Sequence, residues 1–207
     1  MSTSQTCLVP YVDTDNVPPE VAAAITHLPY RRNIFYLLGH SHGSFPRLMS
    51  VYANFFDGKR RILPLLDWQL IVLRVSAVLD AEYEWDVNSP VALINGMSDA
   101  KLQALRDTRA GGDVVSESKL FNSREKAILD LVDQQLATYD NTEEVVEQAQ
   151  AFLSKEELVE AYVVLGVYVL IARITKALKI DMDDEIPGLE EHLKTVVTAD
   201  SPRRAAR

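Results

Sequence analysis

Apolar side chains recur three and four positions apart along most of the chain, which is the spacing of one face of an α-helix. The pattern is regular from Ser44 and again after Asn122. Two segments are apolar on nearly all sides, one that starts at Asp67 and one that runs from Ala161 to Ala172. A helix that is apolar all round lies in the centre of a fold. Because no segment alternates apolar and polar residues over a useful length, the pattern predicts an all-α fold with about seven helices.

Capping residues mark where several of these helices begin. Asn122 is followed by Glu125, and Ser154 by Glu157, with the spacing of a capping box. Asn141 has an acidic residue at the same spacing and marks a further start. These signals place three helix starts in the second half of the chain.

The chain divides into one domain with two irregular ends. Residues 1–17 lack periodicity and predict an extended N-terminal arm, and residues 18–198 predict a single all-helical domain. Residues 199–207 are small and basic, which is typical of a flexible tail. The glycine- and serine-containing segment 107–121 predicts a loop that separates two helical halves.

Composition narrows the classes of function. The chain has 207 residues, of which 47% are hydrophobic and 25% charged, the balance of a soluble globular protein. Its formal charge of −9 argues against nucleic-acid binding. A single cysteine, Cys7, excludes an internal disulfide, a CxxC redox pair and a cysteine-rich zinc site. The longest apolar run, Ala161–Ala172, is shorter than the roughly 20 residues that span a membrane, so we expect no membrane partner. Because a single cysteine requires no oxidising compartment, we expect a cytoplasmic protein.

The segment Gly39-His-Ser-His-Gly43 matches the G-x-S-x-G nucleophile elbow of serine hydrolases. That motif needs a strand before the serine, and Asn33–Leu38 could form one. Asp181 and His192 would then complete a triad with Ser41. Because no other parallel strand is visible, a serine hydrolase is a remote alternative, and a helix–helix loop is the simpler interpretation. The two histidines lack a third ligand, so we expect no metal site.

A second group of polar residues lies on the helix after Ala81. Glu84 and Asn88 stand at i and i+4 and share a face, with Tyr83 and Trp85 beside them. An acid against aromatic surface has a raised pKa, which suits a general acid. The structural alternative is a surface Glu–Asn pair beside two core aromatic residues.

These residues lie within a resemblance to a known family, the carboxymuconolactone decarboxylase-like (AhpD-like) proteins. The matching stretches are Leu70-Ile-Val-Leu-Arg-Val75, Ala81-Glu-Tyr-Glu-Trp85, and Pro90-Val-Ala-Leu with Gly96-Met-Ser-Asp99. The likeness covers roughly residues 30–180. It implies an AhpD-like helical bundle that assembles as trimers or hexamers, with pockets near the subunit contacts.

The resemblance also defines what this chain lacks. One branch of the family uses a CxxC pair, and here Ala81 and Glu84 occupy the two cysteine positions, so the chain is not a thiol peroxidase. The other branch carries Tyr-Glu-Trp-x-x-His and decarboxylates a small lactone. Here Asn88 replaces the histidine and Gln69 replaces an upstream acid, which leaves Glu84 as the ionisable group.

The sequence therefore predicts a cofactor-free acid–base enzyme, a decarboxylase (lyase) or an isomerase. Its substrate would be a small carboxylated lactone or cyclic carbonyl compound. In this hypothesis Glu84 carries the proton, and Gln69, Asn88 and Tyr83 polarise the carbonyl group.

Four further residues are candidates for contacting that substrate. Trp85 and the loop residue His40 would line the pocket, and Arg74 or Arg173 would pair with a carboxylate. For each arginine a structural salt bridge is the simpler role. Arg74 lies in the middle of an apolar helix and should have a carboxylate partner.

The competing hypothesis is a non-catalytic oligomeric scaffold or small-molecule binding protein of the same fold. The loss of two ionisable groups favours it. An open cavity at Glu84 would favour the enzyme, and a space filled by side chains would favour the scaffold. In either case the abundance of apolar helix surface predicts a homo-oligomer, from dimer to hexamer.

Overall fold

A computed structural model describes residues 6–107 and 118–197, and within these ranges it contains ten α-helices and no β-strand. The all-α prediction is confirmed. After a short 3-10 turn at Thr14–Asn16, the helices are α1 Pro19–Ile25, α2 Asn33–Leu38, α3 Phe45–Phe56, α4 Leu65–Val78, α5 Glu82–Ile94, α6 Asp99–Asp107, α7 Ser123–Thr138, α8 Glu143–Gln150, α9 Lys155–Leu178 and α10 Leu189–Val196. Most of the predicted loop 107–121 and all of the predicted tail 199–207 lie outside the described residues, as do residues 1–5.

The helices outnumber the prediction because short ones were missed. The segment Asn33–Leu38, which by sequence could form a strand, is the six-residue helix α2. Helix α4 begins at Leu65, directly after the extended residue Pro64, and not at Asp67. Helix α10 is only 8 residues long, too short for a clear apolar period.

Two of the three predicted caps are confirmed in full. The Asn122 side chain accepts from the Glu125 amide while the Glu125 side chain accepts from the Asn122 amide, and Ser154 and Glu157 repeat the arrangement. At the third start the capping residue is Thr142, one position after Asn141.

Helix α4 forms the centre of the fold, as its apolar composition predicted. It packs against α5, α7 and α9, and its residues from Leu70 to Val75 are at most 1% exposed. Arg74 lies within this run and is fully buried. Its guanidinium donates to both Asp133 oxygens at 2.5 and 2.8 Å and to the Leu105 carbonyl at 3.2 Å. The expected carboxylate partner is therefore present, and it connects α4 to α7.

The N-terminal arm is held against the helical body by backbone and carboxylate contacts. The Leu8 amide donates to the Leu178 carbonyl at 2.8 Å, and the Val12 amide donates to the Tyr36 carbonyl at 3.2 Å. Asp181 accepts hydrogen bonds from Thr6 and Tyr11, and these lower the pKa of its carboxyl group. The arm thus joins the end of α9 to α2.

Helix α9 is longer than the apolar run that marks it in the sequence. It has 24 residues and is long and apolar enough to cross a membrane by length and composition, with 44% of its most apolar window buried. Core helices of globular folds meet the same criteria. We assign α9 to the core because Val164, Tyr168 and Ile171 are buried against other helices.

Candidate active site

A cavity of about 200 Å³ lies among α2, α3, α5 and α9, and α10 contributes Leu193 and Val196 to its wall. Most of its lining is apolar, including Ile34, Leu38, Met49, Val87, Val91 and Ile171. Helix α5 presents one face to it, because Tyr83, Glu84, Val87, Asn88 and Val91 recur at helical spacing. An apolar cavity with a few polar side chains is the usual form of a small-molecule site.

Glu84 is a buried carboxyl group at the wall of this cavity, with 3% of its surface exposed. Its Oε1 accepts from the Thr175 hydroxyl at 2.8 Å, and its Oε2 has no hydrogen-bond partner among the described residues. Burial raises the pKa of Glu84, and the Thr175 hydrogen bond and the charge of Lys176 only partly oppose it. The direction of the pKa shift matches the prediction, and the carboxyl group is not held by an arginine.

Asn88 shares a face with Glu84, as the i, i+4 spacing requires, but its amide is engaged within the protein. Its Nδ2 donates to the backbone carbonyl of Glu84 at 2.8 Å, and its Oδ1 accepts from the Tyr168 hydroxyl at 3.5 Å. Asn88 therefore lines the cavity without contacting the Glu84 carboxyl group.

Tyr83 also lines the cavity, with its hydroxyl in a buried network. The hydroxyl donates to Asp183 at 2.9 Å and accepts from the Ile34 amide at 3.2 Å. Asp183 is paired in turn with Arg32 at 2.9 Å. Burial and the neighbouring Asp183 charge raise the pKa of Tyr83 well above its ordinary value, so the hydroxyl stays protonated and fixed in place.

Gln69, the remaining predicted carbonyl-polarising group, is not among the residues that line the cavity. It lies on α4 with 0% exposure, and neither atom of its amide has a hydrogen-bond partner among the described residues. The structure therefore brings together three of the four predicted catalytic residues, Tyr83, Glu84 and Asn88.

The four predicted substrate-contacting residues lie elsewhere. Trp85 is not among the residues that line the cavity; it lies beside Arg106, whose guanidinium is 5.0 Å from its ring centre. His40 is exposed, with Nε2 2.7 Å from the Pro10 carbonyl oxygen. Arg74 is committed to its structural salt bridge, and Arg173 is exposed on another side of α9.

Two tyrosine hydroxyl groups that the sequence did not indicate complete the site. Tyr52 on α3 and Tyr168 on α9 both line the cavity, and their rings meet edge to face with centres 6.0 Å apart. Burial and the nearby Tyr168 and Glu84 raise the pKa of Tyr52, and burial also raises that of Tyr168. The sequence gives no separate signal for Tyr52, because periodicity does not distinguish a core tyrosine from one that faces a cavity.

The serine-hydrolase alternative is wrong. Helix α2 precedes Ser41 where a strand is required, and the described residues contain no sheet to hold a nucleophile elbow. Asp181 instead binds the N-terminal arm, and His192 packs against the ring of Tyr30.

Known structures of the same fold identify the architecture. No protein-family model and no curated relative matches the sequence. A peroxidase-related protein with an alkylhydroperoxidase AhpD core, from Ralstonia eutropha JMP134, matches with a TM-score of 0.73 and 14% identity, over 88% of this chain and 95% of that one. ATU0492 from Agrobacterium tumefaciens, an AhpD-related protein of unknown function, matches with a TM-score of 0.61 and 21% identity, over 72% and 96% of the two chains.

A third similar structure is the debrominase Bmp8 in complex with 2,3,4-tribromopyrrole. It matches with a TM-score of 0.65 and 14% identity, over 94% of this chain and 100% of that one. At these identities the likeness is one of fold. The chain has an AhpD-like fold, which confirms the helical architecture that the sequence resemblance implied.

Proposed function

We propose that this chain is a cofactor-free acid–base enzyme, a decarboxylase (lyase) or an isomerase. Its substrate is a small cyclic carbonyl compound or carboxylated lactone bound in the cavity at Glu84. One observation carries the proposal: a buried carboxyl group with a raised pKa and an unpartnered oxygen lines an apolar cavity. Burial raises the pKa of Glu84 toward the range in which a carboxyl group can both release and accept a proton, which general acid–base catalysis requires.

In the isomerisation route, Glu84 first acts as a base. Its carboxylate removes a proton from the carbon next to the substrate carbonyl, which leaves an enolate and a carboxylic acid. The acid then returns the same proton to a different carbon, so the double bond moves and Glu84 is regenerated. The hydroxyl of Tyr52 is the donor available to the enolate oxygen, in place of the amides of Gln69 and Asn88.

In the decarboxylation route, Glu84 acts only as an acid. The bond to the carboxylate carbon breaks, carbon dioxide leaves, and the electron pair remains as an enolate. Glu84 then protonates the carbon left behind, and solvent restores its proton. Both routes require the same carboxyl group and the same donor, so one variant tests them together.

The fold neighbours support a small cyclic ligand. One of them, a debrominase, binds a brominated pyrrole, a single small ring. This chain has Ala81 and Glu84 at the cysteine positions of the resembling family, and its only cysteine is Cys7 on the N-terminal arm. A thiol reaction is therefore not proposed for this site.

A non-catalytic binding protein remains the second candidate. It is favoured by the internal hydrogen bonds of Tyr83 and Asn88, which satisfy groups that an enzyme would direct at its substrate. The cavity itself supports ligand binding under both candidates, since side chains do not fill it.

Turnover of a panel of cyclic enones and carboxylated lactones separates the two candidates. We expect Glu84→Gln to lower turnover by about 10²-fold or more, because the amide cannot transfer the proton. Glu147→Gln is the matched control, since Glu147 is exposed and lies outside the cavity. Equal turnover by the Glu84→Gln variant and the wild type would refute the enzyme, and binding without turnover of any panel member would leave the binding protein.

We also propose that the chain self-associates through an exposed face of α9. The outer α9 stripe consists of Val159, Val163, Gly166 and Leu170, which recur at the four- and three-residue spacing of a coiled-coil seam. The three larger side chains are 63%, 45% and 43% exposed, and no atom lies within 4 Å of where a Cβ would stand at Gly166.

The charges beside this stripe favour a second copy of the chain as its partner. An antiparallel copy of α9 centred next to Gly166 sets Val163 opposite Leu170. The same register sets Glu160 opposite the exposed Arg173. The surface is thus complementary to itself under a two-fold axis, which is the commonest symmetry of oligomers.

A further inference from the structure

We infer that the cavity binds a neutral, single-ring compound with its carbonyl oxygen at the Tyr52 hydroxyl and its neighbouring carbon beside Glu84, and that it rejects a free carboxylate. This inference rests on the proposed function and narrows its substrate class. Of the two substrate classes it retains the cyclic carbonyl compounds and removes the carboxylated lactones.

The charges of the cavity provide the first argument. Its lining holds only one arginine, Arg32, which is 5% exposed and paired with Asp183. The Asp183 carboxylate also accepts from the Asn33 amide at 2.7 Å and from the Tyr83 hydroxyl. Because the Arg32 charge is already compensated in a buried network, it does not provide a site for a second carboxylate.

The other titratable residues of the lining provide no buried cation. Asp57 is acidic and interacts with Arg60 at the end of α3, and His27 is exposed in the segment that follows α1. Glu84 is itself an acid, so a ligand carboxylate beside it would place two like charges in an apolar space. Burial of a charge without a partner is strongly unfavourable.

The volume of the cavity limits the size of the ligand. An apolar cavity of about 150 Å³ accommodates benzene, and the present cavity is about 200 Å³. One six-membered ring with one or two small substituents therefore fits, whereas a fused bicyclic system does not.

The polar end of the cavity provides the last argument. Glu84 Oε2 has no hydrogen-bond partner among the described residues, and the Tyr52 hydroxyl makes no hydrogen bond to any of them. Tyr52 and Glu84 line the same cavity, and the Tyr52 hydroxyl can donate to a ligand oxygen there. A ligand carbonyl oxygen accepts such a hydrogen bond and leaves Glu84 to act on the neighbouring carbon.

Ligand titrations at pH 7 by NMR or calorimetry test the inference. The neutral probes are cyclohexanone, 2-cyclohexen-1-one and δ-valerolactone, and the charged probes of similar size are cyclohexanecarboxylate and benzoate. We expect the neutral probes to bind and the carboxylates to bind at least about 100-fold more weakly. Carboxylates that bind as tightly as the ketones, or neutral rings that fail to bind at millimolar concentration, would overturn the inference.

Two pairs of variants locate the binding. Tyr52→Phe keeps the ring but removes the hydroxyl and should weaken ketone binding about tenfold, the effect of one hydrogen bond. Tyr139→Phe makes the same change at a side chain that is 75% exposed and should have no effect. Ala53→Leu fills the cavity and should abolish binding, whereas Ala151→Leu at an exposed position should not. Unchanged binding in both Tyr52→Phe and Ala53→Leu would place the ligand elsewhere and refute the site.

The outcomes separate this inference from the proposed function. Selective binding of neutral rings with no turnover would retain the inference and refute the enzyme. Turnover confined to carboxylated lactones would retain the enzyme and refute the inference.

Discussion

The substitution Glu84→Gln should stabilise the fold, and the gain should depend on pH. Burial raises the pKa of Glu84 above its ordinary value of 4.5, so the folded protein binds the proton more tightly than the unfolded chain does. Below pH 4.5 Glu84 is protonated in both the folded and the unfolded state, so its ionisation does not lower the stability of the fold. As the pH rises to the folded-state pKa, only the unfolded chain ionises, and the free energy of unfolding decreases.

The size of this effect follows from linkage. The free energy of unfolding of the wild type decreases by about 1.4 kcal/mol for each pH unit between the pKa values of Glu84 in the unfolded and folded states. Above the folded-state pKa it decreases no further. The Gln side chain cannot ionise, and its carbonyl oxygen can still accept the Thr175 hydrogen bond that Glu84 Oε1 accepts at 2.8 Å. The two proteins should therefore be similarly stable near pH 4 and should diverge toward pH 8, with the variant more stable.

Urea denaturation at pH 4.5, 6 and 8 measures this difference as a shift of the unfolding midpoint, with an unchanged slope of the unfolding free energy against urea concentration. Glu147→Gln is the control, because that side chain is exposed and its difference from the wild type should be flat with pH. A Glu84→Gln variant that is less stable than the wild type by the same amount at every pH would refute the raised pKa.

Three further predictions concern the fold and its surface. Asp133→Asn should lower the free energy of unfolding by about 3–5 kcal/mol in urea denaturation, since it leaves the fully buried Arg74 without its counter-charge; a loss below 1 kcal/mol would contradict this. Ser154→Ala should cost about 1 kcal/mol in the same assay, because it removes the cap of α9, and an unchanged midpoint would contradict it. Val163→Glu should shift the light-scattering mass to the monomer, whereas the same change at Leu8, which is 67% exposed outside the stripe, should not; equal masses would refute the α9 contact.

Local rules made much of the fold predictable from the sequence. The central position of α4 follows from its apolar composition, and the starts of α7 and α9 follow from their capping boxes. The buried ion pair of Arg74 follows from a cation within an apolar helix, although its partner Asp133 is 59 positions away and has no local signal. The short helices α2 and α10 were missed because six or eight residues hold too few apolar positions to establish a period.

The site could be predicted only where its residues share one helix. Tyr83, Glu84 and Asn88 are within five positions of each other, and α5 brings them to the same cavity wall. Tyr52 and Tyr168 come from α3 and α9, so their meeting with Glu84 depends on tertiary packing that periodicity does not encode. Gln69 was inferred by position within the resemblance, and the direction of its side chain depends on the rotation of α4, which is apolar on all sides.

The central claim is that Glu84 exchanges a proton with a carbon atom of a bound ring. Proton exchange into deuterated solvent at the carbons next to the carbonyl of cyclohexanone, followed by NMR, measures that step without assuming which product forms. The account predicts that the wild-type protein accelerates this exchange and that Glu84→Gln reduces the exchange rate by about 10²-fold or more. The Glu147→Gln protein should exchange at the wild-type rate. Exchange at the same rate in wild type and Glu84→Gln, or at the rate of buffer alone in both, would contradict it.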